Sequence, residues 1–78
     1  MTLAIEIIYG RPVDRDLLIH KHTLTSFDSE RMVKVFFSRE ACNYVVMSWH
    51  CLVPLPERDQ FFKFYDDAVE AATREFWR

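Results

Sequence analysis

Gly10 is the only glycine in a chain of 78 residues, and its isolation excludes more chemistry than any motif suggests. Phosphate-binding loops and dinucleotide fingerprints need several glycines, because bare backbone has to close on the ligand. Nucleophile elbows and glycine-lined oxyanion holes fail for the same reason. The usual two-residue hairpin pairs, Asn-Gly and Asp-Gly, do not occur either. The sequence therefore predicts turns built from Asp, Ser and Asn in longer loops of type I geometry.

Between those turns the pattern has mostly period two. Residues 3–9 alternate, with Leu3, Ile5, Ile7 and Tyr9 on one side and Glu6 on the other, as in a half-buried strand that Gly10-Arg11-Pro12 ends. Residues 17–27 read as a strand by their Thr and Ile content, although Asp14 or Asp16 could cap a short helix there. After a turn at residues 27–31, residues 32–38 form a second strand placing Val33, Val35 and Phe37 together. Residues 44–53 form a third, stopped by Pro54 and Pro56. Residues 61–65 suit either a short strand or the start of a helix. From Asp67 the period changes: Asp67 and Glu70 have capping-box spacing, and Ala68, Ala72 and Phe76 share one stripe beside Val69 and Thr73. The expected fold is a single α+β domain over residues 1–78. It has two layers, an antiparallel sheet of four or five strands with one C-terminal helix packed on a face.

A chain this short hides only about 60 % of its unfolded surface. Half of its residues are apolar, and seven Phe, three Tyr and two Trp are hard to bury together in so small a core. Aromatic surface is therefore expected to remain for a partner, either another protein or a second copy. The formal charge of −2 comes from interspersed signs with no basic block, which disfavours nucleic acid. Cys42 and Cys51 do not form a CxxC pair, no run reaches the roughly 20 apolar residues of a membrane helix, and no basic-flanked leader is seen. A reduced, cytoplasmic protein without membrane contact is expected.

The stretch Tyr44 to Pro56 holds the residues most suggestive of chemistry. His50 and Cys51 are adjacent, so on a strand they point to opposite faces. Cys51 is expected in the core with Met47 and Trp49 beneath the helix, and His50 on the other face with Tyr44 and Ser48. Ser48 and His50 share a face but lack an orienting acid and an oxyanion hole. His20-Lys21-His22 would project both imidazoles from one face of a strand, and His50 could complete a zinc-binding set. The carboxylate pairs Asp14/Asp16, Asp28/Glu30 and Asp66/Asp67 have structural explanations at turns and a helix start. Aromatic and basic residues alternate in residues 34–37 and 61–65, a faint likeness to single-strand-binding sheets.

The expectation that follows is a non-enzymatic protein-interaction module with no cofactor. It would act as a small inhibitor or adaptor that occupies a surface of a larger host complex. Mobile-element inhibitors of host defence, such as anti-CRISPR proteins, are a common class of such stand-alone domains, although no residue here carries that assignment. Tyr9, Arg11, Arg39, Tyr44, His50, Phe61 and Trp77 are the expected partner-binding residues. A histidine-based metal protein and a single-strand binder are the alternatives.

Overall fold

The computed structural model describes residues 4–28 and 30–78. Its strands are β1 (Ile5–Ile8), β2 (Arg11–Asp14), β3 (Leu18–Thr25), β4 (Arg31–Ser38), β5 (Asn43–His50), β6 (Val53–Pro54) and β7 (Gln60–Phe62). A 3-10 turn at Pro56–Arg58 precedes β7, and one helix, α1 (Tyr65–Phe76), follows it. The main sheet has five antiparallel strands in the order β3-β4-β5, with β6 and β7 sharing the outer edge of β5. β6 pairs with Trp49 and His50 at one end of that edge, and β7 pairs with Tyr44 to Val46 at the other.

The α+β class, the five-stranded antiparallel sheet and the C-terminal helix on one face are as expected. Each face of the sheet has its own core. On one, Val33, Val35 and Val46 pack against Ala68, Ala72 and Phe76 of α1. The small alanines let the helix backbone approach the valines, so a larger side chain at Ala68 would overpack the contact, typically at about 1–3 kcal/mol. On the other face, Met32, Phe36, Val45, Met47 and Trp49 form a second cluster. The hairpin β1–β2 covers it through Val13 and Ile8, which adds a further layer to the expected pair. The Trp49 indole N–H donates to the Ile8 carbonyl at 3.1 Å. Arg11 grips Asp59 with both terminal guanidinium nitrogens, tying the hairpin to the chain just before β7.

Several local expectations are corrected. Ile5 and Ile7 are exposed and Ile8 is the residue turned to the core, so the hydrophobic side of β1 is reversed; Leu3 lies outside the described residues. β1 and β2 meet through a two-residue turn, Tyr9 (φ 42°) and Gly10 (φ 81°), which places the lone glycine where a side chain would be strained. A second two-residue turn, Cys51 (φ 51°) and Leu52 (φ 63°), joins β5 to β6 without any glycine. Longer loops, as expected, connect β3 to β4 and β4 to β5. The helix begins two residues before Asp67, so the capping box does not form; the N-cap is Phe64, with no side-chain cap, and Asp66 and Asp67 lie in the first turn. There their charge still meets the positive end of the helix dipole.

Candidate functional site

The β3–β4 turn and the C-terminal end of α1 meet at one end of the sheet. The turn is held by its own polar side chains. Ser26 Oγ accepts from the Arg31 N–H at 3.0 Å and donates to Asp28 Oδ1 at 2.8 Å. Asp28 Oδ1 also accepts from the Glu30 N–H at 3.0 Å. These bonds hold the Asp28 carboxyl below its usual pKa, the Glu30 amide first and the Ser26 hydroxyl second. The turn carries Phe27 at its tip, fully exposed.

At the helix end, Phe76 and Trp77 diverge because successive residues on a helix are about 100° apart. Phe76 enters the core, whereas Trp77 is 74 % exposed and lies edge-to-face on Phe76 at 5.0 Å. The Trp77 N–H donates to the Thr73 carbonyl at 3.2 Å, and Arg31 Nη1 donates to the Phe76 carbonyl at 3.2 Å. A groove of about 550 Å3 runs between these parts, lined by Thr25, Phe27, Asp28, Arg31, Phe76 and Trp77 among others. Two exposed aromatics on hydrogen-bonded supports, with the Arg31 guanidinium in the same lining, make a surface suited to gripping an apolar side chain.

Of the residues expected to bind a partner, only Trp77 belongs to this groove. Tyr9 sits in the hairpin turn, and Arg11 is engaged with Asp59. Arg39 lines a different hollow, with Glu6, Leu18 and Phe36. Tyr44 is packed between Phe37 at 5.2 Å and Tyr65 at 5.5 Å. Phe61 is exposed on β7, and His50 is exposed at the end of β5. Phe27 and Arg31 are the groove residues that sequence reasoning missed. A phenylalanine inside a run of turn residues, with no strand partner to bury it, was the available signal.

The three histidines do not assemble. β3 carries a bulge between His20 and His22, so His20 pairs with Phe36 and His22 with Val35. Phe36 belongs to the hairpin side and Val35 to the helix side, which puts the two imidazoles on opposite faces. His20 packs edge-to-face on Phe36 at 5.7 Å; burial first, and the Lys34 charge second, lower its pKa. His50 meets different partners. Its Nε2 lies 3.4 Å from Glu30 Oε1 and 4.0 Å from the Cys51 thiol. One ligand atom from each of Glu30, His50 and Cys51 falls within 4.8 Å of the others. Cys51 is therefore an exposed turn residue and not a core residue, and Met47 and Trp49 lie beneath the hairpin rather than the helix. The Cys51 N–H donates to the Glu30 carbonyl at 2.7 Å, which fixes the two ends of the cluster.

Ser48 Oγ is buried with no hydrogen-bond partner among the described residues, so it forms no pair with His50. Phe36 is covered by the hairpin, and with a helix on the other face the sheet offers no open stacking platform. Among the described residues, no helix is long and apolar enough to cross a membrane. Comparison with protein families, with curated proteins and with solved structures finds no match to this chain.

Proposed function

We propose that the chain is a non-enzymatic protein-binding module whose contact surface is the groove between Phe27 and Trp77. The supporting observation is the exposure of these two aromatics on a hydrogen-bonded turn and a capped helix end. Neither side chain contributes much to the folded core, yet each keeps a large apolar area in water. Because the turn backbone under Phe27 and the ring of Trp77 are already held, binding orders mainly the Phe27 side chain, which favours affinity. Arg31 supplies a charge beside the apolar floor, so the partner segment is apolar with an acidic neighbour. Occupancy of this kind suits an adaptor or an inhibitor of a larger complex. Exposed, unbridged Cys42 and Cys51 fit a reducing, cytoplasmic setting.

Affinity capture from the native cells tests the reading by comparing the natural chain with the Phe27→Ala/Trp77→Ala double variant. One stoichiometric partner that disappears with the double variant is the expected result. Equal recovery by both chains would refute the groove as the contact surface.

A second reading rests on Glu30, His50 and Cys51, whose nitrogen, sulfur and oxygen donors suit zinc with a fourth position left for water or a partner group. Cobalt(II) titration should give a thiolate charge-transfer band that Cys51→Ser removes. Absence of the band, with only trace zinc by elemental analysis, would dispose of the metal.

A further inference from the structure

A second, smaller pocket of about 190 Å3 lies beside the groove and shares Arg31 and Phe76 with it. Its polar lining is Arg31, Ser48, His50, Arg58, Glu75 and Arg78. Ser48 stands opposite Val33 on β4, so its side chain points to the helix face, into this space. The residue is only 3 % exposed, and its hydroxyl has no partner among the described residues. An unpaired buried hydroxyl is costly, and a native one calls for a specific explanation.

The charge in the pocket is one-sided. Glu75 is nearly buried between Arg58 at 3.4 Å and Arg78 at 3.3 Å. Arg31 meets the neutral Phe76 carbonyl and has no carboxylate partner among the described residues. The C-terminal end of α1 contributes about half a negative charge. Counting the side chains that line the pocket, three guanidiniums outweigh one carboxylate and that half charge, so the lining is net positive. Its neutral wall is Val33, Leu55 and Phe76, a low-dielectric surround that strengthens any charge contact made inside.

We infer that this pocket binds a phosphate group. The Arg31 and Arg58 forks and the Ser48 hydroxyl would donate to separate oxygens of the tetrahedral anion. Guanidinium donors suit phosphate because two N–H groups can serve it in parallel. The hydroxyl acquires the acceptor it lacks. A drug-sized ligand needs roughly 300 Å3 or more, so the anion enters alone and whatever carries it stays outside. The inference shares Arg31 with the partner-binding reading but needs neither Phe27 nor Trp77, so the two fail on different variants.

The test is a titration followed by amide and arginine side-chain NMR, with inorganic phosphate in one arm and O-phosphoserine in the other, at ionic strength matched with chloride. Both arms should move the Ser48 amide and the Arg31 and Arg58 Nε–H signals saturably. Arg58→Gln should weaken phosphate by roughly tenfold, the loss of one charge-assisted contact. Ser48→Ala keeps the fold and should weaken it by a few-fold while raising the melting temperature in phosphate-free buffer. Tighter phosphoserine binding assigns the group to a modified partner, and equal or weaker binding assigns it to the free ion; either supports the site. Shifts that chloride reproduces, or affinities unchanged in both variants, would overturn it.

Discussion

Replacing Trp49 by phenylalanine should loosen the hairpin before it loosens the sheet. Trp49 is 3 % exposed and bonds the Ile8 carbonyl at 3.1 Å through its indole N–H. Losing the pyrrole part of the ring removes about 50 Å2 of buried surface, or ~1 kcal/mol at about 25 cal/mol/Å2. Incomplete collapse of the space left behind adds about 1 kcal/mol. The Ile8 carbonyl keeps its ladder partner Arg11 but loses the indole donor, a hydrogen bond worth about 1 kcal/mol net. The total, roughly 3 kcal/mol, is a large share of the ~4–12 kcal/mol that a chain of this length is expected to have. Urea unfolding followed by far-UV circular dichroism gives the total, and amide exchange gives its location. Amides of Ile5–Ile8 and of Arg11, Val13 and Asp14 should exchange faster while those of β4 and β5 stay protected. A loss below about 1 kcal/mol, or unchanged hairpin exchange, would refute the reasoning.

Leu52→Gly should stabilise the chain by about 0.5–1 kcal/mol, because relief of left-handed strain outweighs the added backbone freedom; a lower urea midpoint would contradict it. Arg11→Ala should cost roughly 2 kcal/mol by leaving Asp59 half-buried and unpaired, and adding Asp59→Ala should restore part of it in a double-mutant cycle. His20 makes stability pH-dependent. Its folded pKa lies below the unfolded value, so the unfolded chain binds more protons in that window. The contribution is full above the unfolded pKa and is lost as pH falls through the folded one. Melting temperatures of His20→Gln should therefore fall less between neutral and mildly acidic pH than those of the natural chain. Solvent screening at this exposed site keeps the difference small, and identical pH slopes would count against it.

The parts of the fold read correctly from sequence are those where one period runs unbroken. β4 and β5 alternate cleanly, and the alanine stripe of α1 recurs at helical spacing, so the residues that share a face were legible. Which face of β5 meets the helix was reversed: Val46 and Ser48 face α1, and Met47 and Trp49 face the hairpin. What failed were the points where the period slips. The bulge at Lys21 inserts one residue into β3 and reverses His22 relative to His20, which no count of alternation detects. The turn at Cys51 ends β5 at His50, removing Cys51 from the core. β1 was misread because Ile5, Ile7 and Ile8 are equally apolar, and only the Tyr9-Gly10 turn geometry decides which side faces the sheet. Of the groove, Trp77 was visible as an aromatic at the helix end. Phe27 and Arg31 join it only because the β3–β4 turn meets the end of α1, a contact between Arg31 and Phe76, 45 residues apart in sequence.

The groove between Phe27 and Trp77 is most directly tested by placing a photo-crosslinking amino acid at Phe27 and irradiating the native cells. Phe27 is fully exposed, so the replacement leaves the fold intact. One dominant covalent adduct with a single protein, lost when Trp77→Ala is added, is the predicted result. No adduct, or one that persists undiminished without Trp77, would contradict the account.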